Sequence, residues 1–299
     1  SSALVLVDEQ GRVCTASANL AGFCGLKRMP QRLGNLFDAD SLTRLLMAGD
    51  VDHLDPLPLR SISGVLLCAT VRRQAGQRLI ELERPCANVD AQLDRLIQAL
   101  DLLAHARQVE GLAETGRVIC EAALALASGY DRTLLYRLDG DGHGEIVAEA
   151  GLRAGVSLVG RYYPASALPP SELRRFAAQK MRAVTDTCAT PIPLEGECMT
   201  VTLPEQHLDF PYPARQEWLI RNAVRATVSC MLMIDERHWG FLSLHALCAP
   251  RVADPTLRKV YAGFCRQVSR VLVRALRRDM YRRAQDADRR RRELLRVFR

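Results

Sequence analysis

Two hairpins, far apart along the chain, constrain its fold more than any other feature. Tyr130–Leu138 reads as a strand, Asp139-Gly140-Asp141-Gly142-His143-Gly144 as a tight polar turn, and Glu145–Ala150 as the returning strand. Ala226–Ile234 and Trp239–Ala246 repeat the plan around Asp235-Glu236-Arg237-His238. Helical patterns flank both. Asp90–Ala106 carries Leu93, Leu96, Ile97, Leu100 and Leu103 at helical spacing, and Val109–Ser128 turns Leu112, Val118, Ile119, Ala122 and Leu126 inward. From Pro255 to about Met280, Val260, Phe264, Val268, Val271, Leu272 and Leu276 form another apolar stripe.

The first stretch of chain has a different rhythm. Ser2–Asp8 is an apolar strand, Glu9-Gln10-Gly11-Arg12 a polar turn, and a short strand resumes at Val13. Ala18–Phe23 and Asp40–Met47 read as short helices, Gly64–Arg72 and Arg78–Leu82 as strands. This order predicts a small α+β sensor domain of the PAS type over residues 1–85. Glu83-Arg84-Pro85-Cys86-Ala87-Asn88 is a turn-rich boundary. Residues 90–278 then follow the plan of a GAF domain, a mostly antiparallel sheet with helices on one side and a pocket on the other. The fold class expected is α+β, two domains each with an antiparallel sheet flanked by helices, ending in a long signalling helix. Residues 279–299 form its basic extension, the start of a further domain or a linker.

Charge narrows the partners. The chain has 299 residues and a net charge of +7. Residues 271–299 hold eleven arginines and four acids, so the rest of the chain sums to zero. Basicity is a property of the tail and gives the body no nucleic-acid footprint. Arg289 to Arg292 cannot share one helix face, and no aromatics interleave them, so an exposed helix is expected rather than a nucleic-acid or membrane surface. No apolar run approaches the roughly 20 residues that span a bilayer. Ten cysteines without a CxxC pair predict free thiols in a reducing, cytoplasmic setting. No nucleotide loop, zinc cluster or triad is present, so no enzyme is expected in this chain. His207 near Glu205 and Asp209 reads as loop polarity.

One segment is more specific. Tyr163-Pro164-Ala165-Ser166-Ala167-Leu168-Pro169 resembles the bilin-pocket motif of phytochromes, usually PASDIP. Tyr130-Asp131-Arg132-Thr133-Leu134-Leu135-Tyr136 with Gly142-His143-Gly144-Glu145 resembles the first hairpin of their GAF domain. Met181-Arg182-Ala183-Val184-Thr185-Asp186, the segment from Trp218 to Ser229, and Trp239-Gly240-Phe241-Leu242-Ser243-Leu244-His245 follow in the family's order. Ala3-Leu4-Val5-Leu6-Val7-Asp8 resembles its PAS opening. The chain thus resembles the PAS–GAF part of a bacteriophytochrome. The resemblance implies a linear tetrapyrrole such as biliverdin, isomerised by light at the double bond between its last two rings. It also implies a homodimer through the GAF helices and the C-terminal helix, and an output domain or signalling partner protein.

By the same resemblance, Arg182 matches a propionate-binding arginine, whose planar fork suits a carboxylate. Tyr136 matches a tyrosine beside the terminal ring, Tyr163 the aromatic before the pocket motif, and His245 the donor to the terminal-ring carbonyl. Four positions depart from the pattern. Ala167 keeps the backbone carbonyl of the usual aspartate and loses its carboxylate. Arg215 falls where a histidine is expected and would oppose a cationic bilin. Trp218 replaces a tyrosine, and Ala246 the second histidine of the last strand. Ala214-Arg215-Gln216 offers no plant-type anchoring cysteine, and Cys188 and Cys198 read as loop thiols. The chain is expected to begin after the bacterial attachment cysteine, with the family's figure-of-eight knot absent or altered, and to end inside a helix of a longer protein. Two readings stay open, a sensor that binds bilin noncovalently and a chromophore-free interaction scaffold.

Overall fold

The computed structural model describes residues 2–74, 76–85, 88–151, 157–196 and 213–297. In chain order its elements are β1 (Ala3–Val7), β2 (Val13–Ser17), α1 (Leu20–Phe23), α2 (Ala39–Met47), β3 (Leu57–Arg60), β4 (Leu66–Gln74) and β5 (Gln77–Glu83). Then come α3 (Val89–Ala106), α4 (Leu112–Leu126), β6 (Arg132–Leu138), β7 (Gly144–Gly151), β8 (Tyr162–Tyr163), α5 (Pro170–Gln179), β9 (Met181–Val184) and β10 (Leu194–Gly196). The last are α6 (Pro213–Arg221), β11 (Ala226–Ile234), β12 (Arg237–Ala246) and α7 (Pro255–Val297). The expected α+β organisation, antiparallel sheets with helices and a long terminal helix, is what the chain adopts.

The chain clusters into two compact units, each built from three separate stretches. The first comprises Ser1–Gln92, Met181–Thr227 and Cys248–Val260, the second Leu93–Lys180, Val228–Leu247 and Tyr261–Arg299.

In the first unit an antiparallel sheet runs β10-β2-β1-β5-β4-β3. Alternation drives its core: Val5 and Val7, Ile80 and Leu82, Ala69 and Val71 point inward and meet Leu20, Leu33, Leu36, Phe37 and Leu45. Asp38 caps α2 by accepting from the Ser41 amide at 2.8 Å, and hydrogen bonding from Ser41 holds its carboxyl below the usual range. Two strands go beyond the sequence pattern. β3 contains Pro58, which an edge strand tolerates. β10 pairs Leu194, Glu195 and Gly196 with Ser17, Ala16 and Thr15 of β2. Gly196 has φ 144°, and a Cβ there would lie 2.1 Å from the Cys14 carbonyl oxygen.

The same unit holds a fully buried ion pair. Arg258, in the first turns of α7, is 0% exposed and grips Glu83 at the end of β5 with two bonds of 2.8 and 2.6 Å. Its guanidinium also donates to the carbonyls of Ala253 and His53. Such a fork matches a carboxylate in geometry as well as charge.

The second sheet has the order β8-β7-β6-β12-β11-β9. Asp235 and Glu236 turn β11 into β12 with φ of 47° and 62°, the paired left-handed conformation of a tight hairpin. In the second unit α4 packs closely on β6 and β7, and Gly116 permits it. A Cβ on Gly116 would lie 2.8 Å from Ala148 Cβ and 3.2 Å from a Leu135 methyl. Gly116→Ala, which favours an isolated helix, is therefore expected to destabilise this protein by about 1–3 kcal/mol in urea unfolding.

α7 is 43 residues long, about 64 Å at 1.5 Å per residue. Tyr261, Phe264, Val268, Val271 and Leu272 are buried, and the Tyr261 hydroxyl donates to the Leu242 carbonyl at 3.1 Å. Further along, Arg278 donates to the Arg107 carbonyl and Arg282 pairs with Glu110. From Tyr281 to Arg292 every residue is exposed. The apolar stripe of α3 behaves differently from that of α4: Leu93, Ile97 and Leu100 are 55%, 54% and 40% exposed. No helix among the described residues is long and apolar enough to cross a membrane.

Candidate functional site

The site grows from the pairing of β6 with β12. Phe241 lies opposite Tyr136, Ser243 opposite Leu134 and His245 opposite Arg132. Side chains alternate along a strand, and directly opposed residues share a face. One face therefore carries Arg132, Leu134, Tyr136, Phe241, Ser243 and His245. The other presents Leu135, Leu242 and Leu244 towards the helices, as the approach of Gly116 to Leu135 shows.

The first face is closed to solvent except at Arg132, which is half-buried. His245, Ser243, Phe241 and Tyr136 are all buried. Ser243 Oγ donates to Ser229 Oγ of β11 at 2.8 Å. Phe241 meets Phe176 of α5 edge to face, with ring centres 4.9 Å apart. Tyr136 meets Tyr163 of β8 at 6.2 Å and 76°. Gly144 lies beside this pair, and a Cβ there would meet Tyr163 Cβ at 3.4 Å and Tyr136 Cδ1 at 3.7 Å, ordinary contact distances.

His245 is held from two sides. The Asp131 amide donates to the His245 carbonyl at 2.9 Å, and Asp131 Oδ2 accepts from the Leu247 amide at 2.7 Å. The imidazole itself lies with Nδ1 3.5 Å from Arg132 Nη2. Burial lowers the affinity of the Arg132 guanidinium for its proton, and the fields of Tyr136 and Glu149 act the other way.

The seven residues singled out by sequence fall in both units. Tyr136, Tyr163, Ala167 and His245 belong to the second. Ala167 ends the short 3-10 turn Ala165–Ala167 that follows β8. Arg182, Arg215 and Trp218 belong to the first. Arg182 lies on β9, all four residues of which are buried. Arg215 and Trp218 stand three positions apart on α6, the first buried and the second half-buried. Gln216 fastens α6 by donating to the Thr187 carbonyl, and Thr187 Oγ1 donates to the Val224 carbonyl. Arg225 pairs with Asp186 at 3.0 Å in the same neighbourhood.

No family model matches the chain. Curated relatives and solved structures do. The chain is 28% identical over 284 residues to a phytochrome-like protein of Synechocystis, covering 89% of this chain and 37% of that protein. It is 27% identical over 199 residues to a bacteriophytochrome of Xanthomonas campestris, covering 64% and 31%. The chain thus spans about a third of the length of these relatives. The chromophore-binding domain of an unusual bacteriophytochrome from R. palustris superposes with a TM-score of 0.78 at 20% identity, over 92% of this chain and 94% of that one. The corresponding domain of Stigmatella aurantiaca phytochrome P1 gives 0.76 at 22%, over 90% and 93%.

The fold is that of a phytochrome chromophore-binding domain.

Within this phytochrome fold, four contributors to the β6–β12 face were not singled out from the sequence: Arg132, Leu134, Phe241 and Ser243. A signal for Arg132 was present, because a period of two carries it through Leu134 to the face of Tyr136. Glu205, His207 and Asp209, and also Cys198, lie outside the described residues. Among the described residues no three metal-ligating side chains cluster, and Cys188 is a free, exposed thiol.

Proposed function

We propose that this chain is a phytochrome-like sensory module that holds a linear tetrapyrrole such as biliverdin without a covalent bond and relays a light signal through the long helix of a dimer. The observation that supports the reading is the buried strand face shared by Tyr136 on β6 and His245 on β12, with Tyr163 edge to face against Tyr136. Its chemistry fits such a pigment. The tyrosine rings give an apolar wall with polar tips, and an imidazole such as that of His245 has a ring N–H able to donate to a ring carbonyl. Arg182, a buried guanidinium on β9, is proposed for a propionate on the strength of its sequence match. Such a pigment supplies light absorption and isomerisation between its last two rings. The protein's part is to exclude water, fix the ring orientation and supply donors.

The departures lower affinity. Ala167 offers no carboxylate, and losing a buried charge partner costs about 3–5 kcal/mol. Arg215 is buried where the family pattern places a histidine, which supports the second reading, a chromophore-free scaffold. Mixing the protein with biliverdin decides between them. The expected result is a narrowed, far-red-shifted band that co-elutes with the protein, responds to red light and is lost on denaturation. A spectrum identical to free pigment supports the scaffold.

The exposed stripe of α3 is proposed as the contact with a second copy. Leu93, Ile97 and Leu100 recur at i, i+4 and i+7 on one helix face. Burying each is worth about 1.5–3 kcal/mol. Leu93→Glu combined with Ile97→Glu is expected to weaken dimerisation at least ~100-fold, read as a shift to monomer mass in light scattering. An unchanged dimer mass would remove α3 from the interface.

A further inference from the structure

We propose that Arg132 is the positioning residue for His245, holding Nδ1 as an acceptor so that the ring carries its single proton on Nε2. The role as a pigment contact rests on the reading above, whereas the tautomer is a property of the protein alone.

Three observations carry it. His245 and Arg132 are directly opposed on paired antiparallel strands, so their side chains leave the sheet on the same face. Arg132 Nη2 reaches 3.5 Å from Nδ1. Asp131 ties the backbone at both ends of this pair, through the His245 carbonyl and the Leu247 amide, so the strands cannot slide to another register. A guanidinium has five N–H donors and no acceptor, so the nitrogen facing it must offer a lone pair. An imidazolium at the buried His245 would stand beside the guanidinium of the half-buried Arg132, a like-charge contact that disfavours the charged ring. Tyr136 and Glu149 also act on Arg132, and Glu149 accepts from the Leu158 amide at 3.0 Å. The outcome is a neutral ring that carries its proton on Nε2, the tautomer that can donate to a carbonyl. The arrangement is the one by which a histidine's second nitrogen generally sets what the first can do.

The test reads the ring itself, in pigment-free protein. Two-bond proton–nitrogen correlation spectra of 15N-histidine-labelled protein report which nitrogen is protonated, and His245→Gln assigns the signal by its disappearance. The expected wild-type pattern is Nε2–H with a hydrogen-bonded Nδ1. Arg132→Glu places an acceptor opposite Nδ1 and is expected to protonate that nitrogen. Arg132→Met removes the donor, so the Nδ1 resonance is expected to move towards that of an unbonded lone pair, and Arg132→Lys to restore part of the shift. A protonated Nδ1 in the wild type, or an Nδ1 signal unchanged in Arg132→Met, overturns the proposal. The wild-type spectrum alone can do so if the variants fail to fold. Because no pigment is added, failure of biliverdin binding and failure of the tautomer are separate results.

Discussion

Arg258→Met is expected to lower unfolding free energy by about 3–5 kcal/mol, the usual cost of leaving one member of a buried pair alone. Glu83, at 1% exposure, would lose the guanidinium that faces it, and the carbonyls of Ala253 and His53 would lose a donor. A methionine fills much of the volume of the lost side chain, so the effect reads charge rather than a void. The reciprocal Glu83→Leu strands the guanidinium and should cost a similar amount. The double variant is expected to recover most of the loss, because a buried pair exchanged for apolar side chains is often close to neutral. Urea unfolding of all four proteins completes the cycle. A loss below about 1 kcal/mol in either single variant would show that the pair does not hold the start of α7 to β5.

Gly240→Ala is expected to be as damaging, for a steric reason. The added Cβ would lie 1.9 Å from the Tyr136 carbonyl oxygen, 2.9 Å from its carbon and 3.2 Å from Arg137 Cα. All three are backbone atoms of β6, so no rotamer change relieves the clash. β12 must move away from β6, and the register that sets Phe241 against Tyr136 and His245 against Arg132 goes with it. Overpacking of side chains typically costs about 1–3 kcal/mol, and a backbone clash belongs at or beyond the upper end. Gly140→Ala is the control: a Cβ there meets nothing within 4 Å, and the change should stay within about 0.5 kcal/mol. Thermal melts of both variants, with biliverdin absorbance as a second readout, check the pair. Equal melting temperatures would mean that the strands tolerate the intrusion.

What the sequence discloses here follows the range of the forces involved. The hairpin at Asp235-Glu236 is legible because alternation and a polar turn are local signals. The long helix is legible from its stripe of Phe264, Val268 and Leu272. β10 is not, since three residues ending in a glycine have no pattern of their own and become a strand only where β2 supplies partners. β3 is obscured by Pro58. The Arg258–Glu83 pair joins residues 175 positions apart, and no periodicity connects them. At the candidate site, Tyr136 and His245 are legible through family resemblance, whereas Arg132 becomes meaningful only when the register of β6 against β12 is known. The stripe on α3 is visible in sequence, but spacing alone does not tell a face turned to the core from one turned outward.

The strand β10 has a consequence for how the molecule is made. Its residues emerge from the ribosome long after the strand they complete, so β2 waits with a bare row of amides and carbonyls while more than 170 further residues are synthesised. Unpaired rows of this kind recruit other chains, and pairings distant in sequence form slowly. A nascent protein halted before Leu194 would therefore carry an open seam, and its hazard during biosynthesis is promiscuous stitching to a neighbouring polypeptide.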